Sequence, residues 1–436
     1  MITSRVMRLL AVSALTALSQ FGTPSAQAVS PPKIDDRWLP KPALPAPPRP
    51  TVQREVCATV VGDSGPRPNQ LADQDLPRVW QLTRGAGQRV AVIDTGVSRH
   101  RLLPNVVAGG DYVYTGDGTQ DCDAHGTLVA GIIAAAPDPK ADSFSGVAPD
   151  VTLISIRQSS AKFAPASDRS STGVGDVDTM ARAVRTAADL GASVINISSV
   201  ACVPVASALD DRALGAALAY AVDVKNAVIV AAAGNTGGTA QCPPQRADAT
   251  WDTVTVAVSP AWYDDYVLTV GSVNAEGVPS AFTLAGPWVD VAAAGEAVTS
   301  LGSASLSGTS YAAPVVSGLA ALIRARFPTM TARQVMQRIE STAHHPGAGW
   351  DPVVGNGTID ALAAVSTDPI PPSNTSKSDP APVPIPPPLP PAPPDRKARN
   401  TALGGAAICL VALVAALVAG AARGRLWRSR DSVPSD

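Results

Sequence analysis

Aromatic side chains are scarce in this chain: phenylalanine, tryptophan and tyrosine together make up 4% of its 436 residues. A core without many large rings fills its space with small side chains, and the abundant alanine, valine and glycine suit a sheet with helices lying close upon it. Charge is sparse and balanced, 34 lysines and arginines against 36 aspartates and glutamates, for a net −2. With no basic cluster in the body of the chain, nucleic acid is excluded as a partner class. No run of closely spaced carboxylates of the kind a hard cation takes is present, and Asp121-Cys122-Asp123 lies too near a candidate catalytic histidine to be assigned to one. No metal and no cofactor is therefore expected. Histidine numbers only four and cysteine five, so each of these residues can be weighed singly.

The ends of the chain have little that could form a core. Residues 1–28 carry Arg5 and Arg8, an apolar run from Leu9 to Leu15 and the small-residue site Ala26-Gln27-Ala28, the pattern of a secretory signal peptide cut after Ala28. That run is too short to span a bilayer. Residues 29–77 form a proline-rich extension, and its proline-dense part from Val29 to Pro50 (PPKIDDRW, then PKPALPAPPRP) can build neither a helix nor a central strand and is read as extended. Within it Gly62-Asp63-Ser64-Gly65-Pro66 reads as a turn, and so few apolar positions make a weak candidate for an independently folding propeptide.

At the other end, a proline-rich linker over 367–400 acts as a semi-rigid spacer. A transmembrane helix is expected over 401–422: Ala402 to Ala422 is free of charge and about 31 Å long as a helix, enough to cross a bilayer. Arg423, Arg425, Arg428 and Arg430 follow, which suits a cytoplasmic tail over 423–436 and a single-pass protein of the cell membrane whose body, 78–366, lies outside. Export makes the cysteines legible. Cys57, Cys122, Cys202 and Cys242 are an even set in the exported body and favour two disulfides, with three pairings open, while Cys409 lies apart in the apolar tail.

Inside 78–366, short runs rich in valine and isoleucine (RVAVID at 89–94, VTLISI at 151–156, ASVINIS at 192–198, NAVIVAAAG at 226–234 and YVLTVGSV at 266–273) alternate with helix-like stretches at 125–135, 178–191 and 209–224. Unbroken apolar strands between helices predict an α/β fold around a mostly parallel, doubly wound sheet covered on both faces. Sites in such sheets lie beyond the carboxyl ends of the strands, so the residues after each run carry the interest.

The first run ends in Asp94-Thr95-Gly96, a carboxylate followed by a tight turn. The same tripeptide marks aspartic proteases, with Asp63-Ser64-Gly65 as the partner on offer, but the two matched lobes of that dyad do not fit so short a separation. Next, Asp123-Ala124-His125-Gly126-Thr127 opens a helix on a histidine, whereas His100 sits in a polar loop and His344 and His345 lie late, beside Pro346. Ala231-Ala232-Ala233-Gly234-Asn235 ends a strand in a side-chain amide.

Finally, Leu306-Ser307-Gly308-Thr309-Ser310-Tyr311-Ala312-Ala313-Pro314 delivers Ser310 to the first turn of a long apolar helix, where free N–H groups and the positive dipole end favour developing negative charge. A serine attacks only when a base takes its proton. Ser310 as nucleophile, His125 as base and Asp94 as its supporting acid make that set, with Asn235 as a donor to the oxyanion of acyl transfer. An α/β-hydrolase requires the chain order Ser, acid, His, and only Glu340 lies between Ser310 and His344, one helical turn from that histidine.

The order Asp94, His125, Asn235, Ser310, in the settings Asp-Thr-Gly, His-Gly-Thr-x-Val-Ala-Gly and Gly-Thr-Ser-x-Ala-x-Pro, resembles the subtilisin family over residues 78 to 365, Ser145-Gly146-Val147-Ala148-Pro149 included. The resemblance implies a subtilisin-like three-layer sandwich. It also implies that a substrate peptide pairs as an extended strand beside the site, near Ile156-Arg157-Gln158 and Ser198-Ser199-Val200, with Gly234 in the primary pocket. Where many subtilisins carry Ser-Leu-Gly this chain has Ser-Ser-Val, a side chain in place of open backbone, which suggests a narrower cleft. The polar stretch 158–176 is long enough to cover or guide substrate.

An exported subtilisin-like body with four cysteines, proline-rich segments on both sides and one terminal span is similar to the mycosins, membrane-anchored proteases of type VII secretion systems. That resemblance implies pairing of Cys57 with Cys122 and of Cys202 with Cys242. It implies an extension that wraps the body without acting as an inhibitory propeptide, and association with the secretion membrane complex. Two roles follow: a serine endopeptidase processing a protein substrate exported by that system, and a structural component of the complex independent of cleavage.

Overall fold

In the computed structural model the described residues are 29–60, 74–137, 144–168, 173–207, 209–237, 242–301 and 303–366. The signal peptide (1–28), the turn at 62–66, the linker (367–400), the transmembrane helix (401–422) and the cytoplasmic tail (423–436) expected from sequence lie outside them. Among the described residues no helix is long and apolar enough to cross a membrane.

The described strands are β1 (Thr51–Gln53), β2 (Arg89–Asp94), β3 (Val106–Asp111), β4 (Thr152–Arg157), β5 (Phe163–Pro165), β6 (Val194–Ile197), β7 (Ala201–Pro204), β8 (Val228–Ala232), β9 (Val256–Ser259), β10 (Leu268–Val273), β11 (Val291–Ala294), β12 (Val298–Ser300) and β13 (Ser303–Leu306). The α-helices are α1 (Leu76–Leu82), α2 (His125–Ala134), α3 (Val177–Asp189), α4 (Arg212–Ala219), α5 (Thr309–Arg326), α6 (Ala332–Thr342) and α7 (Ala361–Ser366). Seven strands form one sheet in the order β11-β10-β8-β6-β2-β4-β3, every neighbouring pair parallel. The strand order turns around β2, which places a crevice at the carboxyl ends of β2 and its neighbours.

Helices α2 and α5 pack on each other and on the sheet, and α3 also packs on the sheet with α4 against it, giving three layers. The sheet strands are apolar along their length because both faces are covered: Val90 to Asp94 and Val228 to Ala232 are all buried. Helix α5 is buried almost all round as far as Ile323, so its sequence shows little amphipathic pattern. Helix α3 covers an outer face and has both a polar side and a capping box between Asp176 and Thr179. Two sheet strands have no valine-isoleucine run behind them. β3 (VVAGGD) and β11 (VAAA) are rich in glycine and alanine, poor strand formers by themselves, and take their place at the two sheet edges by pairing with β4 and β10.

The extension lies along the body. Val29 N donates to Trp251 O at 2.9 Å, Arg185 Nη1 donates to Pro40 O at 3.1 Å, and the Arg212 guanidinium sits 3.8 Å from the centre of the Trp38 ring. Proline carbonyls remain good acceptors although proline has no N–H, so a proline-rich segment is held by donors from the body. β1 of the extension pairs antiparallel with β5, which lies inside the polar stretch 158–176. Disulfides join Cys57 to Cys122 and Cys202 to Cys242. Just before α4, Asp211 is 1% exposed and accepts hydrogen bonds from Ser259 Oγ (2.5 Å), Trp262 Nε1 (2.8 Å) and Tyr263 Oη (2.8 Å). Burial pushes its carboxyl pKa upward.

Candidate active site

The adjacent strands β8, β6 and β2 bring Asn235, Ser198 and Asp94 to the same end of the sheet, Asp94 as the last residue of β2, Ser198 directly after β6 and Asn235 three residues after β8. His125 is the first residue of α2 and Ser310 the second of α5. His125, Ser198, Ser199, Val200, Asn235 and Ser310 all line one cleft of about 1050 Å³.

His125 Nδ1 lies 2.7 Å from Asp94 Oδ1, with the aspartate side chain 2% exposed and the imidazole 28%. An ionised carboxylate only accepts, so the proton sits on Nδ1 and the lone pair of Nε2 is left for the cleft. Burial alone would lower the imidazole pKa, but the Asp94 carboxylate, with further negative charge from Asp121 and Asp123, outweighs it and holds His125 above its ordinary value. Tyr311 packs its ring 5.3 Å from that of His125, and its own phenol is pushed up to about 12 by burial and by Asp94 and Asp121.

Sequence reasoning set Asp121 aside, and the structure gives it a place at the centre of this region. Its carboxylate accepts five hydrogen bonds of 2.7–3.0 Å, from Thr95 Oγ1, Asp123 N, Ala124 N, Thr127 N and Thr127 Oγ1. Thr95 Oγ1 in turn accepts from Gly126 N at 2.9 Å, and Thr95 N donates to Asp94 Oδ1 at 2.7 Å. One carboxylate thereby bolts the end of β2 to the first turn of α2 and satisfies helix N–H groups that have no intrahelical acceptor. The only sequence signal was its position four residues before His125. Asp123 accepts from Ser160 Oγ and Ala161 N, joining the histidine turn to the segment that leads into β5.

Asn235 is held by its oxygen: Oδ1 accepts from Thr309 N at 2.8 Å and Thr309 Oγ1 at 3.1 Å, which settles which end of the amide is which and leaves Nδ2 to donate elsewhere. A methyl group placed on Gly308, whose φ is +154°, would lie 3.1 Å from Ser310 Oγ and 3.4 Å from Asn235 Nδ2. Glycine thus keeps open the space between hydroxyl and amide.

Ser198, expected among the substrate-binding residues, also serves the backbone. Its Oγ donates to Ser310 O at 2.9 Å and accepts from Asn196 Nδ2 at 2.9 Å, and Asn196 Oδ1 accepts from Ser317 Oγ at 2.8 Å. Ser199 and Val200 line the cleft.

One expectation needs correction. Ile156 and Arg157 end β4, which is paired on both sides by β2 and β3 and is buried, so they present no free edge to a peptide; Ser159 to Lys162 and Gly173 to Asp176 line the cleft instead. Gly234, expected in the primary pocket, is buried, with Cys242 and Val200 of the cleft wall standing over it, and its N–H donates to Thr309 Oγ1 at 3.1 Å.

A hydroxyl at a helix N-terminus, an imidazole oriented by a carboxylate and a fixed amide donor on one cleft can together carry out nucleophilic acyl transfer. Comparison with known proteins agrees with that chemistry. Residues 85–357 match the subtilase family, Peptidase S8. The chain is 74% identical to Mycosin-4 of Mycobacterium tuberculosis over the full length of both. It is 44% identical to the MycP3 protease from the type VII (ESX-3) secretion system, with a TM-score of 0.71 over 78% of this chain and all of that one. It is also similar to a chain of the intact ESX-5 inner membrane complex, at 41% identity and a TM-score of 0.72, covering 91% of this chain and all of that one.

Proposed function

Because this chain belongs to the subtilase family of serine proteases, and within it to the mycosins, we propose that Ser310 is its nucleophile, His125 its general base and acid, and Asp94 the carboxylate that orients and supports His125. The observation that carries this reading is the 2.7 Å bond between Asp94 and His125 on a cleft that Ser310 and Asn235 share. Ser310 Oγ attacks the scissile carbonyl carbon as its proton passes to His125 Nε2. The charge that forms on the carbonyl oxygen is met by Asn235 Nδ2 and the Ser310 N–H. His125 then gives its proton to the departing amine, and water repeats the sequence to release the acyl group.

The body works outside the cell membrane, anchored by residues 401–422, on a protein exported by a type VII secretion system. The likeness to a chain of the ESX-5 inner membrane complex supports a second role, as a part of such a complex whose folded body stabilises the assembly whether or not it cleaves. Labelling of the full chain by a fluorophosphonate, mapped to Ser310, tests the chemistry; a folded chain never labelled there refutes it. Secretion in cells carrying Ser310→Ala, set against cells lacking the chain, separates the roles. Equal defects leave catalysis as the whole role, and a milder defect in the Ser310→Ala cells supports the structural one.

A further inference from the structure

We infer that Val200 and the Cys202–Cys242 disulfide close the pocket that receives the side chain on the acyl side of the scissile bond, restricting the enzyme to peptides with glycine, alanine or serine there. The inference rests on the catalytic reading above, which fixes how a substrate lies. With its carbonyl oxygen between Asn235 Nδ2 and the Ser310 N–H, and its leaving amine toward His125, the acyl residue turns its side chain to the remaining wall. That wall is Ser198 to Val200 together with Cys202 and Cys242.

Behind that wall is Gly234, the residue before Asn235, and the space over it is filled by side chains of the wall itself. A Cβ built on Gly234 would meet Cys242 Sγ at 3.0 Å, Leu284 Cδ2 at 3.4 Å and Val200 Cγ2 at 3.5 Å. Atoms from three side chains thus stand at van der Waals distance or closer where a deep pocket needs vacancy.

The wall is also tied so that it does not part to admit a larger group. Cys202 lies in β7, directly after Val200, and β7 is paired along its length with β9. Cys242 is held to the other side of the pocket through its N–H, which donates to Asn235 O at 2.8 Å. The disulfide therefore joins the strand that follows Val200 to the turn that carries the oxyanion donor. A methyl group or a hydroxymethyl fits beneath such a clamp, and a ring or a branched chain displaces it.

The test uses the full chain, first titrated with a fluorophosphonate, then treated with peptidyl diphenyl phosphonates identical except for alanine, leucine or phenylalanine side chains at the acyl position. These probes need no turnover, so their second-order inactivation constants report pocket fit alone. The alanine probe should react about 100-fold faster than the phenylalanine probe. In Val200→Gly the phenylalanine-to-alanine ratio should rise at least about tenfold, with Val200→Ala intermediate. The inference is overturned if phenylalanine reacts within about threefold of alanine in the unmodified chain, if a folded Val200 variant leaves the ratio unchanged, or if the fluorophosphonate reacts and no peptidyl probe does. A chain that reacts with no phosphorus probe, the fluorophosphonate included, refutes the assignment of Ser310 instead.

Discussion

Asn235 is joined to the helix that carries Ser310 by one atom and aimed at the cleft by another, so two substitutions can separate its roles. Asn235→Ala removes the donor. Loss of one such oxyanion donor raises the barrier by about 3–4 kcal/mol, a fall of about 100- to 1000-fold in kcat with KM little changed. It also leaves Thr309 N–H and Oγ1 without their shared acceptor, which costs about 1–3 kcal/mol of stability. Asn235→Asp keeps an oxygen where Oδ1 stands, so the Thr309 bonds and the stability survive, while a carboxylate oxygen replaces the N–H₂ and opposes the charge of the intermediate. Its kcat should fall at least as far as that of Asn235→Ala. The assay is peptide hydrolysis at saturating substrate, normalised to Ser310 titrated to completion by a fluorophosphonate, beside thermal denaturation of each variant. A folded Asn235→Ala protein with kcat within about tenfold of the unmodified enzyme, or an Asn235→Asp protein that works normally, would refute the reasoning.

Four further outcomes are expected. Since His125 must be neutral to act as base and its pKa is raised, kcat/KM should rise with pH through a value above the ordinary ~6.5 of histidine. Asp121→Asn removes one of the charges (Asp94, Asp121, Asp123) that hold it up against burial, so that limb should move to lower pH, and a limb that stays put or moves up contradicts the account. Replacing Cys57 and Cys122 together by serine opens a cross-link between residues 65 apart in sequence, a loss of about 4 kcal/mol by chain entropy, and should speed limited proteolysis within 29–60. Asp211→Ala strands three buried donors on Ser259, Trp262 and Tyr263 and should lower stability by about 3 kcal/mol in urea denaturation, with activity per folded molecule retained.

The parts of the site that were legible from the chain are those whose signal is local. Asp94 ends an apolar run, His125 and Ser310 each begin a helix among small residues, and Asn235 follows a strand and a glycine, all within a few residues of sequence. The sheet was legible where valine and isoleucine run unbroken, at β2, β4, β6, β8 and β10, and illegible at β3 and β11, where glycine and alanine say little until a neighbouring strand supplies the pairing. Asp121 escaped because an aspartate that accepts five hydrogen bonds looks, in sequence, like any aspartate in a polar turn. The reading of Ile156 and Arg157 as a free edge failed for a related reason: which side of β4 is open depends on β3, a strand drawn from far upstream.

Residue types and their spacing determined the chemistry available to this chain and the sheet at whose strand ends it lies, because helix starts, strand ends and tight turns are set by neighbours in sequence. Only the tertiary structure decided which atoms meet. The Thr309 bonds that orient Asn235, the Ser198 tie to the Ser310 backbone, the pairing of β1 with β5 and the Val200 and Leu284 side chains crowding over Gly234 all join segments tens of residues apart. Such contacts form only when burial of the whole core brings distant segments together, and no local pattern encodes them.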